Sequence, residues 1–348
     1  MTRGRGVVEV VDVHVGGDLH RIVVGGVKTL PGASTFEKME FLRSKADGLR
    51  QLLLMEPRGG HPSLYADLVI EPSHPEADAG FIIMELMGYP VISGTNTMST
   101  AVALLETGRL PKRDGTLLLV LEAPGGLIRV QAECEGDRVK SITYQATTPS
   151  FVVESDLSID VPGHGTVRFD IIWTGAFYPV IDASALGFAL ARSEEEVLVR
   201  FANEFLAVAR PAHHPIHPEF GDEGPLSFVV FVGDPQTGSS GILERHVCCY
   251  EHPRTSVCRS PAGVPSTAAT LQLAHRGLLR VGGMLRTISI FGTDLRVTLL
   301  ETVPYDNRQG ARVSVTGTGW VVARSQLVVD FDDPMTPGDG LAAILDLG

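Results

Sequence analysis

Residues 91–111, VISGTNTMSTAVALLETGRLP, and residues 259–279, RSPAGVPSTAATLQLAHRGLL, have one shape: a glycine-containing turn, an amphipathic helix, and a second glycine that stops it. Superimposing Gly94 on Gly263 also superimposes Gly108 on Gly277, a shared offset of 169 residues, and sets Ser93 against Ala262. A chain of 348 residues that repeats itself in this way is predicted to form two similar halves, each presenting a helix N-terminus. The first N–H groups of a helix have no partner within it, and the dipole is positive at that end, so each start suits a carboxylate.

The rest of the composition narrows what such halves can bind. A net charge of -12 with no Lys/Arg cluster excludes a nucleic-acid surface. No apolar run reaches the roughly 18 residues of a membrane span, and MTRGRGVVEV has no signal-peptide core, so a soluble cytoplasmic protein without a membrane partner is expected. Cys134, Cys248, Cys249 and Cys258 form no CxxC pair, which points to neither a disulfide framework nor a zinc site. The 38 glycines and 22 prolines imply many tight turns and favour a strand-rich α/β architecture.

In chain order, β-rich runs at 7–13 and 21–24 flank HVGGDLH, and Asp12, His14 and His20 beside that loop read as strand-edge hydrogen-bonding groups rather than a metal trio. A helix is predicted from Ser34 to Leu54, with Ser34 as cap and Glu37 at the capping-box position. It ends at EPRGGH, where Arg58 is placed to hold a carboxylate bidentately or to fix the loop through Glu56, and His61 to donate to a substrate. Strands at 64–71 and 80–86 then deliver the chain to the first glycine turn. After Thr148-Pro149-Ser150 the pattern restarts with strands at 151–153, 166–173 and 177–183 and an amphipathic helix ending before Pro211. His213, His214 and His217 follow in a proline-broken loop without a ligand framework, and no metal is expected. The domains are thus 1–149, with a helix from about 95–107, and one starting at 150, with a helix from about 264–276.

A carboxylate between the two helix starts would meet the N–H groups of Gly94–Asn96 and of Gly263–Val264, donors that also stabilise an enediolate formed by removal of an α-proton. Such a reaction needs a base on one face, and inversion needs an acid on the other. Ser93 is a weak base without a neighbour to take its proton, and Ala262 transfers none. Cys258, four residues before Ala262, would as a thiolate be the strongest base in the region; its alternative role is that of a small buried hydrophobe. No Walker or dinucleotide glycine pattern is present, so no nucleotide cofactor is expected.

These motifs, with DVHVGGDLHRIVVGG, LPGASTFEKMEFL, LMEPRGGHPSLYADLVIEP, WTGAFYPVIDA and VTGTGWVVARSQLVVDFDDPM, resemble the proline racemase family, which includes 4-hydroxyproline epimerases and trans-3-hydroxyproline dehydratases. The resemblance implies a diaminopimelate epimerase-like α/β (α+β) fold: two pseudo-symmetric domains, each a curled, largely antiparallel sheet around a central helix, with the active site in the cleft between them. It also implies that the second domain closes near 328 and that 329–348 return toward the first. Cofactor-independent, metal-free chemistry and a homodimer follow from it as well.

The resemblance also shows where this chain departs. The family's first catalytic Cys, in an MCGHG-like motif, is Ser93 here, a residue some epimerases carry, and the substrate-binding His after it is Thr95. In the second motif, DRSPCGTGTS-like, the Asp that contacts the substrate nitrogen is Cys258 and the second catalytic Cys is Ala262. Val264 and Pro265 remove a hydroxyl and a backbone donor, and EPRGGH carries one glycine more than the usual EPRGH. Loss of the Asp leaves a cyclic ammonium poorly compensated, and two-base racemisation lacks its second proton carrier. The leading expectation is therefore a one-base dehydration of the trans-3-hydroxyproline type, with Ser93 or Cys258 as base and Gly94, Thr95, Asn96, His61, Gly263 and Val264 binding a small carboxylate or imino acid. The alternatives are a racemase or epimerase with unconventional bases and a non-catalytic carboxylate-binding homologue. Glu56, His61, Asp234 and Glu244 are candidate polar partners for the base.

Overall fold

The computed structural model describes residues 4–55, 60–61, 63–145, 148–219, 221–222 and 224–347. The chain divides into two compact units, residues 1–144 with 318–348 and residues 145–317.

The first unit opens with β1 (Arg5–Val15) and β2 (Asp18–Gly25), joined by the glycine pair of HVGGDLH. Helices α1 (Thr35–Lys45) and α2 (Gly48–Leu54) follow, then β3 (Tyr65–Ile70), β4 (Ala79–Met84), α3 (Gly94–Glu106), β5 (Gly115–Ala123), β6 (Gly126–Glu135) and β7 (Arg138–Gln145). The expected single helix from Ser34 to Leu54 is two. Ser34 does cap α1, its side chain accepting from the Glu37 N–H at 3.1 Å. At Ala46 the backbone leaves the helical region (φ -148, ψ 39), and the Asp47 carboxylate accepts hydrogen bonds from Arg50, Gln51 and Tyr89 at the start of α2.

The second unit holds β8 (Ser150–Val161), β9 (Gly165–Trp173), β10 (Phe177–Asp182), α4 (Glu195–Ala212), β11 (Phe228–Val232), the short β12 (Gln236–Thr237), β13 (Leu243–Glu251), α5 (Gly263–His275), β14 (Met284–Ile288), β15 (Asp294–Tyr305) and β16 (Arg308–Gly317). Its strands close into a ring: β16 pairs antiparallel with β8 through Gly310 with Phe151 and Ala311 with Ser150. The chain then returns to the first unit for β17 (Gly319–Asp330), antiparallel to β1, and the short α6 (Leu341–Ile344).

The repeat read from the sequence is a repeat of connections. Successive neighbours β1, β2, β3, β4, β5 and β6 pair antiparallel, parallel, antiparallel, parallel, antiparallel. The series β9, β10, β11, β13, β14 and β15 shows the same order. Each parallel step needs a crossover, and α3 and α5 supply the corresponding one in each unit. Both are built mainly from Gly, Ala, Ser, Thr and aliphatic residues, with little charge to set a face aside for water, and every residue from Gly94 through Leu105 is buried. Most of α5 is buried likewise. Each unit is thus a curled, mostly antiparallel sheet around one central helix. A separate core lies beneath α1 and α2 in the first unit and beneath α4 in the second.

Candidate active site

At the start of α3, Ser93 has extended backbone (φ -151, ψ 132), and its carbonyl accepts from the Thr97 N–H at 3.1 Å and the Thr97 hydroxyl at 2.7 Å. Thr97 is the first rung of the helix, so the N–H groups of Gly94, Thr95 and Asn96 lie ahead of the ladder. The Ser93 hydroxyl does not cap the helix. It accepts instead from Asn96 Nδ2 at 2.7 Å.

Asn96 is wholly buried and is the hub of a small network. Its Nδ2 also donates to Glu85 Oε1 at 3.0 Å, and its Oδ1 lies 2.9 Å from His20 Nδ1. A carboxylate only accepts, so the amide must turn its NH2 toward Glu85 and its oxygen toward His20, whose Nδ1 then carries the proton. His20, wholly buried, stacks on Tyr65 at 4.9 Å between ring centroids, which fixes the imidazole plane. The order of this network has a direct effect on Ser93. One lone pair of its oxygen is engaged by an N–H, while among the described residues no side chain accepts its proton. Because Ser93 is only half-buried, that proton is left for solvent or a bound molecule.

Two close approaches hold this helix start in place. A Cβ built on Gly94 would lie 2.1 Å from Tyr144 Oη and 2.4 Å from its Cζ, so the phenol occupies the space of any side chain there. Burial pushes the Tyr144 hydroxyl far above its ordinary pKa, and it stays neutral. Gly125, in the β5–β6 turn, donates its N–H to Val91 O at 2.9 Å and would meet Ile92 at 2.6 Å if it carried a Cβ.

The start of α5 is built alike but carries different chemistry. Ala262 is its N-cap at φ 54, ψ 142, a region that non-glycine residues rarely enter. The Ala262 N–H donates to Ser260 Oγ at 2.8 Å, and the Ala262 carbonyl accepts from Ser266 N at 3.0 Å. Pro265 has no N–H, so Gly263 and Val264 are left as the donors of this start. The Val264 carbonyl accepts from Thr174 Oγ1 at 3.2 Å. Cys258 is 6% exposed and its N–H donates to Cys249 O at 2.8 Å. The Cys258 and Cys249 side chains share a hydrogen bond, which together with burial pushes the Cys249 thiol well above the usual range. All four cysteines are buried, and none is in a disulfide.

The family model described as proline racemase matches residues 10–339. The chain belongs to the proline racemase family. Trans-3-hydroxy-L-proline dehydratase of Burkholderia cenocepacia is 30% identical over 328 residues, 94% of this chain and 96% of that protein. A protein of Chromohalobacter salexigens is 39% identical over 340 residues, 98% of this chain and 93% of its own. The crystal structure of a hydroxyproline epimerase from Agrobacterium vitis, with bound trans-4-hydroxy-L-proline, superimposes with a TM-score of 0.85 at 27% identity, covering 99% of each chain. The family and the diaminopimelate epimerase-like fold are thereby established, while the named relatives include both an epimerase and a dehydratase.

Within this proline racemase family member the remaining sequence candidates take other places. His61 is exposed, its Nδ1 accepting from the Ser63 N–H at 3.1 Å, and Glu56 and Arg58 lie outside the described residues. Asp234 accepts from Ser184 Oγ at 3.0 Å, and Glu244 pairs with Arg286 at 3.0 Å, both in the second unit. Asp12 pairs with Arg21, His213 stands edge-on to Phe169, His214 pairs with Asp222, and the His217 ring lies 4.2 Å from that of Trp173 at a tilt of 45°. Among the described residues no three His, Cys, Asp or Glu side chains converge as a metal-binding group. No described helix is long and apolar enough to cross a membrane. Sequence reasoning missed Glu85 and Tyr144. The signal for Glu85 was a carboxylate directly following AGFIIM, a run buried at every position.

Proposed function

We propose that the protein abstracts the α-proton of a proline-like or hydroxyproline-like imino acid with a single base and completes the reaction by losing water, as a trans-3-hydroxyproline dehydratase does. The observation that carries this reading is Ala262. The family motif and the internal repeat both put the second proton carrier at this N-cap, and here it is a methyl group whose backbone keeps a rare conformation. Cys258, buried and hydrogen-bonded to Cys249, is assigned to packing.

Ser93 is then the base. Its alkoxide is favoured by the Asn96 N–H at 2.7 Å and by the positive end of α3. The N–H groups of Gly94, Thr95 and Asn96 are proposed to hold the substrate carboxylate and the charge that develops on it. Ser93 takes the α-proton, the C2–C3 double bond forms, and the C3–O bond breaks. The departing hydroxide takes a proton from water, or from Thr95, which regains one from water, and Ser93 returns its proton to solvent. No acceptor for the Ser93 proton exists among the described side chains, so the base form arises by loss to water.

The test is turnover of trans-3-hydroxy-L-proline, trans-4-hydroxy-L-proline and L-proline followed by proton NMR. The reading expects consumption of the 3-hydroxy compound with loss of its α-proton, and none of that activity in Ser93→Ala. Inversion of the 4-hydroxy compound, or an unchanged rate in Ser93→Ala, overturns it.

A further inference from the structure

Three of the four cysteines belong to the second unit, and two of them face each other. Cys249 lies on β13, and Cys258 lies in the segment that leads from β13 to α5. Tyr250 and Val257 form an antiparallel bridge, which sets Cys249 opposite Cys258. The Cys258 N–H closes the adjacent rung on the Cys249 carbonyl at 2.8 Å. The two side chains share a hydrogen bond, so both leave the backbone on the same side.

Opposite residues joined by such a rung have Cα atoms about 5.5 Å apart, inside the range of about 4.4–6.8 Å that a disulfide spans. Joining the two sulfurs therefore asks for side-chain rotation and little movement of the backbone. Cys248 is not placed to do the same. Neighbouring residues of a strand point to opposite faces, and Cys248 belongs to the core beneath α4, of which Cys249 is no part. Cys134 is on β6 of the first unit.

We propose that Cys249 and Cys258 are a thiol–disulfide pair, closed by hydrogen peroxide and reopened by a dithiol. The reaction assigned to Ser93 uses neither thiol. Cys258 is 6% exposed and Cys249 2%, so a small uncharged oxidant is required, and Cys258 meets it first. The Cys258 sulfur attacks one peroxide oxygen, the O–O bond breaks, and a sulfenic acid and one water result. The Cys249 sulfur then attacks the sulfenic sulfur, the S–O bond breaks, and the hydroxide leaves with the Cys249 proton as a second water. Two thiols are oxidised to one disulfide, and one peroxide is reduced to two waters. Shielding makes the first step slow, and the second, being intramolecular, follows it quickly.

The test exposes the folded full-length protein to millimolar hydrogen peroxide, removes the excess with catalase, and alkylates the remaining thiols after unfolding. Two of the four thiols are expected to be lost, and tandem mass spectrometry of the digest should join Cys249 to Cys258 with Cys134 and Cys248 alkylated. Dithiothreitol restores all four. In Cys249→Ala the disulfide is absent and dimedone traps a sulfenic acid at Cys258, while Cys248→Ala keeps the disulfide. Mapping on the wild-type protein does not depend on either variant folding. Thiols that oxidise only after unfolding in urea, a link through Cys248, or conversion of Cys258 to sulfinic acid without a link each overturns the assignment.

Discussion

Gly94→Ala offers a sharp test of how the α3 start is held. The added methyl carbon would lie 2.1 Å from Tyr144 Oη, 2.4 Å from Cζ and 2.6 Å from Cε1, against an ordinary contact distance of 3.4 Å or more. Tyr144 is 6% exposed and cannot swing into solvent, so ring or helix must move by about an ångström. Overpacking of this kind costs about 1–3 kcal/mol. Replacing Gly by Ala in a helix would otherwise gain about 0.5–1 kcal/mol of backbone entropy. A net loss of about 1–2 kcal/mol is expected in urea unfolding, together with most of the turnover, because the displaced residues carry the N–H groups and Asn96. Tyr144→Phe in the Gly94→Ala background leaves Cζ in place and should recover little. Tyr144→Ala in that background frees the space, and the two changes should couple by about 0.5–3 kcal/mol in a double-mutant cycle. A neutral or stabilising Gly94→Ala refutes the packing argument.

Three further outcomes are expected. Ala262→Gly relieves φ 54, ψ 142 and should stabilise the protein by about 1 kcal/mol, the strain of about 1–3 kcal/mol less the entropy glycine loses; destabilisation in urea unfolding would show that the conformation is not strained. Asp67 is wholly buried, its Oδ1 has no partner among the described residues, and burial raises its pKa well above the ordinary value against a Thr100 hydrogen bond that lowers it. The unfolded chain therefore releases this proton first, so wild-type stability falls by about 1.4 kcal/mol per pH unit between the unfolded and folded pKa values. Asp67→Asn removes that slope and should gain on the wild type as pH rises above the ordinary carboxylate range, whereas parallel stability–pH curves would show that Asp67 does not titrate there. Ser93→Cys substitutes a thiol of ordinary pKa about 8.5 for a far weaker acid, so turnover at neutral pH should rise about ten-fold or more and the wild-type rate should climb steadily with pH; a flat profile with a slower cysteine variant contradicts a Ser93 alkoxide.

What could be read in the sequence was what repeats or alternates. The glycine turns, the apolar helices after them and the strands on either side follow local patterns, and the 169-residue offset survives as a shared order of parallel and antiparallel pairings. The network around Ser93 was less legible. Asn96 meets His20 across 76 residues and Glu85 across 11, a meeting set by strand register around a buried helix and not by any spacing in the chain. The helix break at Ala46 was hidden because an apolar pattern runs through it, and only tertiary partners of Asp47 decide it. The surroundings of Cys258 were hidden too, since its partner Cys249 lies on β13 and reaches it through a bridge between Tyr250 and Val257.

The central claim is that this family member has one proton carrier where an inverting enzyme needs two. Incubation with L-proline in heavy water, with chiral separation of the recovered imino acid, addresses it most directly. A single base at Ser93 predicts deuterium at the α-carbon of L-proline with configuration retained, and none in Ser93→Ala. Accumulation of α-deuterated D-proline would reveal a second proton carrier and contradict the account.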